Sequence, residues 1–351
     1  MKKVKNLSLA LFLVVIVFIV GCNSSGGSNN AQKVESAIPT PSQNEKASEK
    51  EKEVQKVTIK IAHESPASHP KGVWIDDFKK VVEDESGGNI TVEVFHQGSL
   101  YAKEKAALEA VGQGIIQLSA GSTGYLSSIE PSFSLFDLPM LFENQDAMYK
   151  VLDGEIGQNL LTELESKGLK GLGYISNVPL DLLSKKPVTS LNDLSGMKIR
   201  VHSADLEKTV NALGGSPIII PASEVFIGLQ QGVINGVLTT VSYAAPNKLN
   251  EVVSHMTDIK ISSIVYPVVM NQDFWNELND ENKQIINKAV QVATEKNRKE
   301  LSAITDEHVK TLVDGGVTVH QLSTEERIIW KDKLETVYSQ FKDQELLGKV
   351  K

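Results

Sequence analysis

Residues 191–240 read LNDLSGMKIRVHSADLEKTVNALGGSPIIIPASEVFIGLQQGVINGVLTT, a pattern of two α/β units in series. Lys198–Val201 is a short strand in which Arg200 sits between β-branched residues. Residues 205–213 place Leu206, Val210 and Leu213 at helical spacing and stop at Gly214-Gly215, a helix-end signal. Residues 217–221 give a second apolar strand. Ser223 then reads as the N-cap of a helix through Val225, Phe226 and Leu229. Gly232 closes that helix, and residues 233–238 make a third strand broken by Gly236. In open α/β sheets a ligand sits beyond the carboxyl ends of the strands. Arg200 lies at such an end, where its planar fork of donors can hold a carboxylate through two parallel hydrogen bonds. By residue type alone it reads better as an ordinary strand-end arginine in a surface ion pair.

Upstream, Val57–Ala62 (VTIKIA) alternates as a first strand, followed by a loop at His63-Glu64-Ser65-Pro66. A helix from Pro70 to Glu85 carries Val73, Trp74, Phe78, Val81 and Val82 on its apolar side and ends at Gly87-Gly88. Ile90–Phe95 is a second strand, residues 102–112 a helix and residues 115–120 a third strand. This β-α-β-α-β order predicts a parallel core. Gly121-Ser122-Thr123-Gly124 comes next, either a flexible loop or a turn that aims Ser122 into the crevice. Residues 133–142 (FSLFDLPMLF) read mainly as core. Residues 145–167 are one long or two short helices, and residues 171–176 a strand.

Downstream, a strand is expected at residues 259–264, and residues 266–271 run back toward the first half. Residues 279–314 contain neither Pro nor Gly and repeat apolar side chains at near-helical intervals, with Asp280 and Glu281 suiting the helix dipole. Roughly thirty-five helical residues span about 50 Å, more than one small domain needs. Gly315-Gly316 stops this helix. A strand at residues 317–322 and a helix capped by Ser323 or Thr324, with Glu326, end the chain.

The chain has 351 residues, enough for two domains. Its first 21 are read as a signal peptide: Lys2, Lys3 and Lys5 precede an apolar run too short to span a membrane. Ile19-Val20-Gly21-Cys22 fits a bacterial lipobox, so Cys22, the sole cysteine, is read as the lipidated first residue of the mature protein, with palmitate among the acyl groups expected there. The folded part then has no disulfide, cysteine cluster or cysteine nucleophile. Residues 22–56, poor in apolar side chains, are read as a disordered tether. Losing the three lysines takes the formal charge from −8 to −11, with 33 basic against 44 acidic residues. That balance argues against nucleic acid or an anionic membrane surface as the main partner.

No phosphate loop, complete dinucleotide glycine pattern or nucleophile elbow is present. The seven histidines (His63, His69, His96, His202, His255, His308 and His320) show no metal-ligand spacing. No cofactor and no metal are expected. His202 could reach the crevice, but as a loop histidine it reads more readily as exposed, and His308 as solvated or packed on its helix.

The combination of L-x-D-L-x-G-x-K-I-R-V at residues 191–201, A-L-G-x-x-P at 212–217, P-x-S-E-V-F at 221–226 and L-Q-x-G-V-I-x-G at 229–236 resembles the solute-binding proteins of TRAP (tripartite ATP-independent periplasmic) transporters, the DctP family. The resemblance runs from about residue 57 to 334. It implies an α/β, two-lobed periplasmic-binding-protein-like fold with a long spine helix shared by both lobes. Residues 57–178 plus 265–303 would form lobe I, and 179–264 plus 304–351 lobe II. It implies a binding protein and not an enzyme. Its ligand would be a small organic acid, a C4-dicarboxylate or other carboxylate, delivered by lobe closure to a membrane permease from the outer face of the cytoplasmic membrane. The alternatives are an accessory that presents ligand to a dicarboxylate sensor kinase, an extracellular organic-acid enzyme with His63 or His202 as its base, and a purely structural lipoprotein.

The resemblance also assigns ligand contacts: Arg200 on the substrate carboxylate, with His63, Ser122 and Ser203 around it. Many members carry Q-E-N-P where this chain has Val237-Leu238-Thr239-Thr240, so Thr239 takes the place of the family Asn. Tyr243 and Tyr266 are candidate cleft aromatics, or core. Members that bind sialic acid carry a second Arg where this chain has Leu180, which argues against sialic acid. Lys185 and Lys186 lie near and read as exposed.

Overall fold

The computed structural model describes residues 55–351. The expected signal peptide, Cys22 and nearly all of the expected tether lie outside the described residues. Gln55, assigned to that tether, packs against the body: its Oε1 accepts from Asn279 N at 2.8 Å and its Nε2 donates to Glu277 O at 2.8 Å.

In chain order the first elements are β1 (Val57–Ala62), α1 (Pro70–Glu85), β2 (Ile90–Phe95), α2 (Glu104–Gly112), β3 (Leu118–Ala120), α3 (Thr123–Leu126), α4 (Gln145–Asp153), α5 (Glu155–Glu163) and β4 (Leu169–Pro179). Next come β5 (Asp181–Ser184), β6 (Lys198–Val201), α6 (Ala204–Ala212), β7 (Ser216–Ile219), α7 (Val225–Gln230), β8 (Gly236–Thr239), α8 (Val241–Ala244) and β9 (His255–Asp258). The chain ends with β10 (Ser263–Asn271), α9 (Gln272–Glu277), α10 (Asp280–Asp314), β11 (Thr318–Gln321), α11 (Thr324–Tyr338) and α12 (Gln344–Val350).

Two sheets result, in the orders β2-β1-β3-β10-β4 and β11-β9-β5-β8-β6-β7. The strands β1, β2 and β3 run parallel, as the alternation of strands and helices predicts, and β10 enters antiparallel between β3 and β4. In the second sheet β6 is parallel to β7 and β8, while β5 is antiparallel to β8 and β9. Successive strand side chains point to opposite faces. Val268 and Met270 therefore enter a core with Trp74, Phe78 and Ile286, whereas Val269 enters another with Leu108, Phe133 and Leu160. Each such fully buried side chain contributes about 1.5–3 kcal/mol.

The chain crosses between the sheets from β4 to β5 and from β9 to β10. The strand expected at residues 259–264 is only partly formed: residues 259–262 make this second crossing, and Ser263 and Ile264 open β10. Asp181 Oδ1 accepts from the backbone N of Ile259 at 3.1 Å and of Lys260 at 3.0 Å, which withdraws both amides from any ladder. Lys260 takes a left-handed φ of 48°. The 35 residues of α10 form the shared spine: Ile286, Ala289 and Val290 belong to the core of the first sheet, Leu301 and Leu312 to that of the second. Asn279 caps its start. Ser223 does not cap α7; it lies in a 3₁₀ turn, Ala222–Glu224, that precedes the helix.

Candidate functional site

Strand ends and short helices from both sheets enclose a cavity of about 220 Å³, lined among others by Glu64, Glu104, Ser122, Tyr125, Arg200, His202, Thr239, Tyr243 and Tyr266. Sites for drug-sized ligands run from about 300 Å³ upward, so this one suits a molecule of only a few heavy atoms.

Arg200 is the third of the four residues of β6, the last three of which are all buried, and it is 4% exposed. Its Nε donates to Ile220 O at 2.9 Å, which fixes the plane of the guanidinium. Among the described residues no carboxylate comes within 4.0 Å of it and its Nη nitrogens have no hydrogen-bond acceptor. Burial pulls its pKa below the ordinary guanidinium value, yet an arginine side chain remains a cation. Tyr243 frames it, its hydroxyl donating to Ala222 O at 2.6 Å. Thr240 caps α8 by accepting from Tyr243 N. Beneath, Asn177 of β4 accepts from Ser242 Oγ at 2.8 Å and sets its Nδ2 3.1 Å from His69 Nε2, tying the start of α1 to the start of α8.

A second cation lies beside the cavity. Lys71 is fully buried, with Nζ 3.0 and 3.1 Å from the two oxygens of Glu64, 3.7 Å from Glu104 Oε1 and 4.1 Å from the centre of the Tyr266 ring. Burial alone would raise the Glu64 carboxyl; the Lys71 ammonium and the hydrogen bonds to the carboxylate together outweigh that and bring it down to about 2. Glu104, less well paired, is pushed up by burial to about 7. It accepts from Ser122 N and lies 3.4 Å from Ser122 Oγ. Burial first, then Lys71, lowers His69 to about 3, and burial, then Arg200, does the same to His202.

Of the residues assigned from sequence, the cavity brings together Arg200, Ser122, Thr239, Tyr243 and Tyr266. His63 and Ser203 are buried but are not among the residues that line it. His63 Nε2 is turned to His96 Nδ1 at 2.8 Å. Ser203 Oγ caps α6, accepting from Leu206 N at 3.3 Å, and donates to Asp137 at 3.4 Å. His202, expected to be exposed, is buried in the wall with its Nε2 unpartnered. Leu180 is core, Lys186 is exposed and Lys185 partly so. Sequence reasoning missed Glu64, Lys71 and Glu104. The signal was a charged residue at the head of an apolar helical stripe: Lys71 precedes Trp74, Ile75 and Phe78, and Glu104 precedes Ala107, Leu108 and Val111.

Among the described residues no cluster of three or more His, Cys, Asp or Glu could hold a metal ion, and no helix is long and apolar enough to cross a membrane. The family described as DctP, bacterial extracellular solute-binding protein, family 7, matches residues 61–344. A C4-dicarboxylate-binding periplasmic protein DctP of Rhodobacter capsulatus is 33% identical over 298 residues, covering 82% of this chain and 87% of its own. A TRAP periplasmic solute-binding protein of Sulfurospirillum deleyianum, solved with bound succinate, matches with a TM-score of 0.80 at 32% identity over 84% of this chain and 98% of that one. One from Shewanella oneidensis, also with bound succinate, gives a TM-score of 0.81 at 31% identity, with the same coverage. With its two sheets, shared spine helix and enclosed cavity, this chain belongs to the DctP family of bacterial extracellular solute-binding proteins, which serve TRAP transporters and are not enzymes.

Proposed function

We propose that this protein captures a small organic acid, foremost a C4-dicarboxylate, through Arg200 and delivers it to the membrane permease of a TRAP transporter. The observation that carries this reading is the guanidinium of Arg200: buried at 4% exposure, held in plane by Ile220 O, and without a carboxylate partner. An unpaired buried charge costs several kcal/mol, and a ligand carboxylate removes that cost. The cavity volume and the succinate bound by two relatives at 31–32% identity support a ligand of this size. Thr239, Tyr243, Tyr266 and Ser122 would complete the contacts. Residues 57–178 plus 265–303 and residues 179–264 plus 304–351 would act as lobes that close on the ligand about the two crossings, a known mode of capture. Cys22 would carry the lipid that holds the protein at the outer face of the cytoplasmic membrane, with residues 22–56 as tether.

The test is a thermal-shift screen of the chain lacking residues 1–21 against C4-dicarboxylates, 2-oxo acids, lactate, sugar acids and neutral sugars. Ligand at 100 times its dissociation constant adds about 2.7 kcal/mol. A shift with one acid class that disappears in Arg200→Ala supports the reading. Unchanged affinity in that variant overturns it. For the anchor, Cys22→Ser should release the protein from cell membranes into the medium.

A further inference from the structure

The cavity that offers Arg200 to an anion also presents a carboxylate. Glu104 heads α2, is largely buried, and faces the same space. Its nearest cation is Lys71, but that ammonium is held by both oxygens of Glu64 at 3.0 and 3.1 Å, and approaches Glu104 only to 3.7 Å. One ammonium thus serves two carboxylates and leaves Glu104 the weaker share. Glu104 Oε1 accepts from the backbone N of Ser122, while the one hydrogen bond to Oε2 among the described residues is the 3.4 Å approach of Ser122 Oγ. An ionised Glu104 would repel any anion drawn in by Arg200. Two carboxylates forced into contact in a site of low polarity hold one proton between them.

We propose that Glu104 takes up a proton from solvent when the organic acid binds, and that the resulting carboxyl group donates a hydrogen bond from Oε2 to the ligand. This rests on the function proposed above. The balance is simple: one proton leaves the solvent and bonds to Oε2, and no other bond changes. With a dianionic dicarboxylate bound, Lys71 and Arg200 supply two positive charges against three negative ones, one on Glu64 and two on the ligand. An ionised Glu104 would add a fourth, and its protonation halves the excess negative charge. Proton uptake is therefore larger with a dicarboxylate than with a singly charged acid.

The other groups that face Glu104 keep their charge between pH 6.5 and 9. Glu64, beyond β1, is held down to about 2. Lys71 on α1 is held above the ordinary lysine value: burial opposes this, and the Glu64 and Glu104 charges outweigh it. His69 at the start of α1 and His202 after β6 lie at about 3. Burial raises the phenols of Tyr125 on α3, Tyr243 on α8 and Tyr266 on β10. Arg200 on β6 remains a cation, and the side chains of Lys103 and Lys105 beside Glu104 are exposed. Glu104 itself, at about 7, is the cavity group poised to change. Asp137 and Asp181 are also raised to about 7 by burial but do not line the cavity, so a variant at Glu104 separates them.

The experiment is calorimetric titration of the chain lacking residues 1–21 with succinate from pH 6.5 to 9, in pairs of buffers with different ionisation heats. The expected result is uptake of most of one proton at pH 8, with affinity weakening by up to about tenfold per pH unit above pH 7.5. Glu104→Gln, a neutral isostere, should still bind succinate while the uptake and the pH slope vanish. Binding without proton uptake in the unaltered protein, or an unchanged slope in Glu104→Gln, overturns the inference and leaves the carboxylate-binding reading standing. If no organic acid binds at any pH, both fall. Should Glu104→Gln fail to fold, the proton count of the unaltered protein decides alone: none overturns the inference, nearly one supports it.

Discussion

Lys71 and Arg200 are both buried cations at one cavity, and they are treated in opposite ways. Lys71 has two carboxylates within 4.0 Å and an aromatic face 4.1 Å away. Arg200 has a single backbone carbonyl on Nε. A buried charge that is satisfied within the protein is part of the fold, whereas one left without a counterion is open to an anion from outside. Their positions fit that division: Lys71 sits on the first turn of α1, under the first sheet, and Arg200 at the end of a strand of the second. The same burial thus has opposite meaning according to the partners.

The largest effect is expected at Lys71. Lys71→Met leaves Glu64 and Glu104 unpaired and should lower stability by about 3–5 kcal/mol, read from urea denaturation at pH 7. Arg200→Met should leave that stability equal or higher, because it removes a charge that has no counterion. If the two variants destabilise alike, the comparison fails. Next, Arg200→Met should lose about 2–5 kcal/mol of affinity for the bound acid in a calorimetric titration, and a retained affinity would place the ligand elsewhere.

A third test concerns an acid removed from the cavity. Asp137 is buried, accepts from Thr123 Oγ1 at 2.6 Å and from Ser203 Oγ, and is raised from 3.8 to about 7 by burial. The folded state therefore holds its proton more tightly than the unfolded chain. This contribution to stability is fully present below pH 3.8, declines as the pH rises, and is lost above about pH 7. Asp137→Asn should raise the melting temperature at pH 8 and change it little at pH 4; the reverse pattern would show a carboxylate stabilised by its hydroxyl donors. The smallest effect belongs to Ser203→Ala, which removes the cap of α6 and should cost about 1 kcal/mol of stability with little change in acid affinity. A large loss of affinity at unchanged stability would return Ser203 to the ligand shell. Gly124 sharpens this corner, since a Cβ there would stand 2.6 Å from Ser203 Cβ and 2.7 Å from Asp137 Oδ2. The Gly121–Gly124 run is thus needed partly for close approach and not only for flexibility.

The fold was legible where burial repeats at a local period. Alternation marked β1 and β2, helical spacing and the lack of Pro and Gly marked the whole of α10, and paired glycines marked its end. The first part of the strand expected at residues 259–264 failed because the amides of Ile259 and Lys260 are claimed by Asp181, a partner 78 residues earlier for Ile259. Arg200 was legible because its chemistry and its place at a strand end are both local. Glu64, Lys71 and Glu104 were not, although each stands in a readable segment. Periodicity records which face of an element is covered. It does not record which charges meet there once Glu64, α1 and α2 have come together.

Sequence alone specified the regular elements with a clear period, among them β1, β2, α1 and α10, the absence of any disulfide in the body after Cys22, and a strand-end arginine suited to a carboxylate. Only the tertiary structure decided which cation is satisfied and which is free, that His202 is buried and neutral, and that Ser203 serves a helix and Asp137 instead of lining the cavity. The reason is physical. Helix and strand formation answer to neighbours a few residues away, whereas the charge state of a buried group is set by whatever distant segments desolvate and pair it.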